Sequence, residues 1–196
     1  MKALLAASRL IDAMNERIGK AVYWLVLVAV LVSAGNAIVR KGFNVSSNAY
    51  LELQWYLFSA MFLLCAGYTL LRNEHVRIDV LAGRLSHRAQ AWIDVLGTLF
   101  FLLPMAVAFV YFSWPVAVRT FVHGEISTNA GGLPIWPARA LVPIGFTLLA
   151  LQGISELIKR IAFLAGAGPD PVPRHDPLAA EKELAEEIRR QAEARP

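Results

Sequence analysis

The chain has 196 residues, of which 57% are hydrophobic and 17% carry charge, whereas an average soluble domain is about 45–50% apolar and about 25% charged. The charge is concentrated at the C-terminus, because 12 of the last 28 residues are Asp, Glu, Lys or Arg, against 22 of the first 168. A body so poor in charge cannot cover a water-exposed surface. The composition excludes an ordinary soluble enzyme and a disordered protein, and it favours a small membrane protein.

The small net charge and the single cysteine exclude further classes. The net charge is only +4, and no stretch interleaves Lys or Arg with aromatic residues, so nucleic acid is not an expected partner. Cys65, inside an apolar run, is the only cysteine in the sequence. Because one cysteine has no partner, we expect neither an intrachain disulfide nor a cysteine-ligated metal. Catalytic motifs and metal-ligand spacings are missing from the sequence, and the 4 histidines lie outside the apolar runs. We therefore expect no enzyme activity and no cofactor.

In chain order, the first segment is a charged leader, residues 1–20. Its apolar residues recur at helical spacing: Leu4, Ala7, Ile11, Met14 and Ile18. The spacing predicts an amphipathic helix on the inner membrane face that leads straight into the first apolar run. A cleaved signal peptide is the alternative, since Gly35-Asn36-Ala37 loosely resembles a cleavage site, but the mixed charge of the leader disfavours it.

Four runs without charged residues follow, at 21–39, 53–71, 95–118 and 140–155. About 20 helical residues cross a hydrocarbon core of roughly 30 Å, so the first three runs are long enough. The fourth becomes long enough as 140–158, with Glu156 near the interface. The tryptophans lie at or near run ends, as in an interfacial aromatic belt. The sequence therefore predicts an all-α integral membrane protein, with a four-span domain over residues 21–165 and additional interfacial amphipathic helices.

The basic residues predict the orientation of the spans. Segments on the side of the N-terminus carry ten Lys or Arg residues, not counting the distant tail, and the opposite loops carry only four: Arg40, Lys41, Arg119 and Arg139. Basic residues favour the cytoplasmic side of the membrane. Both termini are therefore expected to be cytoplasmic.

The connection between the second and third runs predicts another interfacial helix. Its apolar residues Ile78, Leu81 and Leu85 fall on one helical face, with arginines around the other. Two of these, Arg84 and Arg88, are expected to contact anionic lipid headgroups, and contact with a partner protein is the alternative.

The third transmembrane helix is expected to run without a break from about residue 87 to 118. Ser86 precedes it and is the expected N-cap. Pro104 in its middle should kink it, and Pro115 should disturb its outer end, because proline lacks the N–H that the helix requires.

The loop between the third and fourth runs, residues 119–139, is rich in glycine and proline and cannot be helical throughout. It is a candidate docking platform on the periplasmic face, and its candidate residues are Glu125, Asn129, Gly131, Gly132, Pro134 and Trp136. The alternative is that these residues only shape the turn into the fourth run. After it, residues 166–196 form a Pro-rich linker and a charged tail, which is expected to be a loosely attached cytoplasmic helix.

Ionisable residues are missing from the middle of every run. Glu52, Asp94 and Glu156 lie at run ends. The polar Asn36, Gln54 and Gln152 also lie near run ends, where interhelical hydrogen bonds are their expected role. A transporter normally marks its pathway with charged side chains near the midplane, so the pattern favours a partner or scaffold.

Several segments resemble the small membrane subunit, often called DctQ-like, of TRAP (tripartite ATP-independent periplasmic) transporters. The resemblance covers roughly residues 22–164, without the leader and the tail. It is carried by five segments together: Leu51–Phe58, Asn73–Leu81, Leu85–Asp94, Asn129–Pro137 and Pro143–Gly153.

The resemblance implies a four-span protein of the bacterial inner membrane that pairs with a large membrane subunit. That subunit would carry substrate and sodium, a periplasmic substrate-binding protein would deliver the substrate, and the small subunit would enlarge the static scaffold. No catalytic residues are implied. The sequence of the loop Asn129–Pro137 most resembles the family branch for mannitol, chloroaromatic compounds or 2-oxoacids. The transported solute is therefore expected to be an organic acid or a related compound. An autonomous four-span transporter or channel, acting as a homo-oligomer, is the alternative.

Overall fold

The structure, a computed structural model, describes residues 2–43, 47–75 and 85–168. It contains four long helices: α1 (Lys2–Phe43), α2 (Asn48–Leu71), α3 (His87–His123) and α4 (Trp136–Leu164). Each is long and apolar enough to cross a membrane, so the predicted all-α membrane fold is confirmed. The predicted interfacial helix after α2, the residue Arg84 and the tail beyond Gly168 fall outside the described residues.

The four helices alternate in direction along the bundle. At one end, α1 is bonded to α4 through Asn15 and Gln152, and α3 to α4 through Asp94 and Arg160. We call this the terminal end, because it contains the starts of α1 and α3 and the ends of α2 and α4. The opposite end contains the connection from α3 to α4, residues 124–135, and we call it the loop end.

The fourth helix is the centre of the bundle. It packs extensively against each of the other three helices, whereas α3 packs mainly on α4. In the most apolar stretch of α4, 39% of the residues are buried, against 11%, 6% and 11% in α1, α2 and α3. The other three helices therefore direct most of their apolar surface outward, as expected of helices that contact lipid or further protein.

Glycines on α4 allow its neighbours to approach closely. A Cβ added to Gly145 would lie 2.7 Å from the backbone oxygen of Leu63 on α2, and one added to Gly153 would lie 2.7 Å from a methyl group of Leu102 on α3. In a membrane, where lipid is as apolar as leucine, close packing of this kind drives helix association. These two glycines therefore set the spacing of the bundle.

The leader and the first transmembrane run form one continuous helix, α1. Its 42 residues extend about 63 Å at 1.5 Å per residue, roughly twice the hydrocarbon thickness. The buried positions of α1 include four that recur at intervals of seven: Ser8, Asn15, Val22 and Ala29. In the leader it is thus the polar side that packs against the bundle, and the predicted apolar side remains at least partly exposed.

The third helix contains an irregularity directly before its first proline. Residues Thr98–Leu102 form a π-helical segment, which ends with a bond from the Leu103 N–H to the Thr98 carbonyl. The following residue, Pro104, has no N–H, so the hydrogen-bond ladder has to change there. At the start of the helix, the Ser86 hydroxyl accepts a bond from the Ala89 N–H, and the predicted N-cap is confirmed.

Candidate functional site

The loop at the loop end is a short folded hairpin. Helix α3 stops at Gly124, whose φ of 59° is left-handed, a conformation that glycine adopts without strain. Two stretches then pair: the Ser127 N–H donates to the Leu133 carbonyl (3.0 Å), and the Ile135 N–H donates to the Glu125 carbonyl (3.0 Å). The tip between these stretches, residues 128–131, is exposed, as are Ile126 and Pro134 within the paired stretches.

The carboxylate of Glu52, in the first turns of α2, binds this hairpin through three hydrogen bonds. It accepts bonds from the Ser127 hydroxyl, from the Asn129 amide (2.7 Å) and from the backbone N–H of Leu133 (2.7 Å). Each of these donors stabilises the charged form of the carboxylate. Glu52, which is buried, therefore fixes both sides of the hairpin to α2.

Two further bonds attach the loop to α2. The Tyr56 hydroxyl donates to the Pro134 carbonyl (3.1 Å), and the Asn48 amide donates to the Ala130 carbonyl (3.4 Å). Tyr56 lies one helical turn after Glu52, so its contact falls on the same side of α2. The loop thus rests on α2 along its length.

Arg139, in the first turn of α4, links the loop to α3. Its guanidinium donates to the Glu125 carboxylate (2.7 Å) and to the hydroxyl of Thr120, a buried residue of α3. Nearby, the rings of Phe121 and Trp136 meet edge to face, with centroids 5.3 Å apart. Three helices and the loop are therefore joined in one rigid corner.

Five of the six predicted docking residues lie on this hairpin, and the sixth, Trp136, is the first residue of α4 directly after it. The side chains of Glu125 and Asn129 are engaged by Arg139 and Glu52. Gly131 has a φ of 70°, and a Cβ on Gly132 would lie 2.5 Å from the Ser127 side chain. The remaining two, Pro134 and Trp136, are exposed.

Sequence reasoning missed the residues that hold the loop, which are Glu52, Tyr56 and Arg139. The one feature of the sequence that could have indicated this role is the position of Glu52, a carboxylate directly before the charge-free run 53–71. Of the two predicted lipid contacts, Arg88 lies exposed in the first turn of α3, and Arg84 is outside the described residues.

A second polar cluster joins α1 to α4 at the terminal end. The Asp12 carboxylate accepts bonds from the Ser155 hydroxyl (2.7 Å) and the Gln152 amide (2.8 Å), and it pairs with Lys159 (3.2 Å). Lys159 also pairs with Glu156 (2.5 Å). One lysine thus bridges two carboxylates from different helices.

The cluster extends into the interior through two amides. The Asn15 amide donates to the Gln152 side-chain oxygen (2.9 Å), and both residues are fully buried. The Asn15 oxygen has no hydrogen-bond donor in the described chain and faces Gly67 of α2. A side chain at position 67 would occupy the place of that oxygen, so the glycine lets α1, α2 and α4 meet there.

Ion pairs connect the remaining helices at the same end. Arg160 of α4 pairs with Asp94 of α3 (2.8 Å), and Glu16 of α1 pairs with Arg72, just after α2 (3.0 Å). Among residues 2–43, 47–75 and 85–168 there is no group of three or more His, Cys, Asp or Glu side chains placed to hold a metal ion. The charged groups therefore connect helices with one another.

A comparison with protein families identifies the chain. A family model described as "Tripartite ATP-independent periplasmic transporters, DctQ component" matches residues 29–163. Comparisons with curated proteins and with solved structures gave no significant match. The match begins within α1 and ends one residue before α4 ends. It includes Glu52 and the loop that Glu52 holds, residues 124–135, which we call the Glu52-anchored loop, but not Ser8, Asp12 and Asn15. Because it covers well over half of the 196 residues, the chain belongs to the DctQ family, the small component of TRAP transporters.

Proposed function

We propose that this chain is the scaffold subunit of a TRAP transporter, bound to a large membrane subunit that moves the solute. The family match carries the assignment to a transporter component. The structure supports the scaffold role, because three ion pairs at the terminal end join one helix to another: Glu16–Arg72, Asp12–Lys159 and Asp94–Arg160. A transport pathway normally contains charged or polar groups near the midplane, and the charge-free runs provide no such charge.

The solute is proposed to be an organic acid or a related compound, taken up together with sodium. Both properties would reside in the partners of this chain, the large subunit and the periplasmic substrate-binding protein. Their support is the resemblance of the loop and helix segments to the family.

The bundle is proposed to lie in the bacterial inner membrane with its terminal end in the cytoplasm. The excess of ten basic residues over four favours this orientation. It places the Glu52-anchored loop in the periplasm and Arg88, at the start of α3, beside the cytoplasmic headgroups. Anionic lipids there would attract Arg84 and Arg88.

The Glu52-anchored loop is proposed to form part of the docking surface for the binding protein. Its framework is held by Glu52, Tyr56 and Arg139, so its exposed residues keep a fixed arrangement. The large exposed side chains of this surface are Ile126 on the loop, 63% exposed, and Trp136 at the start of α4, 40% exposed. A preorganised surface loses little entropy when a partner binds.

Deletion of this chain from the transporter tests the proposed function. Cells that retain the large subunit and the binding protein should lose sodium-driven uptake, and the tagged chain should retain the large subunit during purification from membranes. Uptake that persists at the normal rate without this chain, with the large subunit present in the membrane, would contradict the proposal.

A further inference from the structure

The side of α1 that packs against the bundle continues, in the same heptad register, into residues 30–43. There it is largely exposed in the described part of the chain. The heptad positions Ser8, Asn15, Val22 and Ala29 are buried, but the next one, Asn36, is only half-buried. Ser33, on the same side of the helix, is exposed, and no residue from 30 to 43 is buried. The spacing typical of a helix–helix interface therefore extends beyond the contacts that this chain makes.

Two amide side chains, Asn36 in this section of α1 and Gln54 on α2, have unused hydrogen-bonding groups. The Gln54 oxygen, on α2, accepts a long bond from the Ser33 hydroxyl (3.4 Å). The Gln54 NH₂ group has no acceptor within the described part of the chain, and Asn36 forms no side-chain hydrogen bond there at all. By contrast, the hydroxyl groups of Ser113 and Thr147 donate to backbone carbonyls of their own helices. These two side chains therefore need no partner from another protein.

These amides lie at hydrocarbon depth. If Val30, the middle residue of the run 21–39, marks the midplane, Asn36 lies about 9 Å from it and about 6 Å inside the hydrocarbon boundary. Gln54 is the second residue of the run 53–71 and lies near the same boundary. Lipid tails offer neither donors nor acceptors, and an unpaired polar group there costs free energy. A protein neighbour, in contrast, can satisfy both amides.

We propose that the surface formed by Ser33, Asn36 and Gln54, which we call the amide face, binds a transmembrane helix of the large TRAP subunit. This helix brings Ser, Thr, Asn or Gln side chains to the two amides, since such groups act as both donors and acceptors at apolar interfaces. The inference rests on the proposed function, because membership of a multi-component transporter supplies the partner. A second copy of this chain and lipid are the competing occupants.

Replacing both amides with leucine, which is isosteric with asparagine and close in volume to glutamine, tests the amide face. The double variant Asn36→Leu, Gln54→Leu should retain about three- to tenfold less large subunit on the tagged chain in detergent, as expected for the loss of interhelical hydrogen bonds. Thermal unfolding of the chain purified alone should not change, because these amides contribute little within it.

Two control variants separate this effect from a loss of fold. Asn15 lies three heptads before Asn36 in the same register but is bonded inside the bundle, so Asn15→Leu should lower the thermal stability of the chain alone. Ser113 is satisfied by its own helix, so Ser113→Ala should change neither stability nor retention of the large subunit.

Photo-crosslinking from position 36 identifies the occupant. With benzoylphenylalanine in place of Asn36, irradiation of membranes should give an adduct with the large subunit. An adduct of two copies of this chain, or no protein adduct, would overturn the inference, as would a double variant that retains the large subunit normally. If the unaltered chain itself fails to retain that subunit, the proposed function is wrong and the inference falls with it.

Discussion

The buried amide pair of Asn15 and Gln152 gives the sharpest test of how α1 is held to α4. In the variant Gln152→Leu, a side chain of similar size removes the acceptor of the Asn15 amide and two bonds to carboxylates, those of Asp12 and Glu156. Asn15 then keeps only a long bond to the Ile11 carbonyl (3.4 Å). The buried amide group left without its acceptor costs about 1–3 kcal/mol.

The two carboxylates should lose less, because each still pairs with Lys159 and remains partly exposed. We therefore expect a total loss of about 2–3 kcal/mol. At roughly 2–4 °C per kcal/mol for a chain of this size, Tm should fall by about 5–10 °C.

The assay is thermal unfolding of the purified chain in detergent, followed by tryptophan fluorescence. The double variant Asn15→Leu, Gln152→Leu supplies the internal control, since removing both partners leaves fewer buried groups unpaired. It should be less destabilised than the sum of the two single variants, by about 1 kcal/mol or more. A Gln152→Leu variant with an unchanged Tm, or two strictly additive single variants, would refute the proposed coupling between α1 and α4.

The remaining predictions concern the loop and the two arginines Arg84 and Arg88. Glu52→Gln turns one acceptor oxygen into a donor facing other donors, so hydrogen exchange at the loop amides should rise about tenfold; unchanged exchange would contradict the anchoring role. Glu125→Ala with Asn129→Ala should weaken binding-protein-dependent uptake and leave complex assembly intact, and impaired assembly would instead assign these residues a structural role. Arg84→Glu with Arg88→Glu should disturb insertion or orientation, which topology mapping measures, and normal topology would refute the lipid contact.

The helices themselves were predictable from the sequence because their signal is local. Runs without charge predicted four membrane-length helices, and a serine directly before a helical pattern predicted the cap at Ser86. Proline chemistry predicted a kink at Pro104, and the irregularity that the structure shows beside it is a π-helical segment. Each of these features depends on residues close together in the chain.

The contacts that hold the site were not predictable, because their partners are far apart in sequence. Glu52 and Ser127 are 75 positions apart, and Asn15 and Gln152 are 137 apart. The leader was interpreted from its apolar residues, which are typical of a helix on a membrane surface. The side of the leader that packs against the bundle is instead the polar side with Ser8 and Asn15. These two side chains form hydrogen bonds with Ser155 and Gln152 of α4.

Reconstituted uptake tests the central claim, that this chain supports transport without providing a pathway. Proteoliposomes should contain this chain alone, the large subunit alone, or both, each with the binding protein and an inward sodium gradient. We predict uptake of the proposed organic-acid solute only when both membrane subunits are present. Uptake by this chain alone would support an autonomous transporter, and full uptake by the large subunit alone would show that this chain is dispensable; either result would contradict the scaffold account.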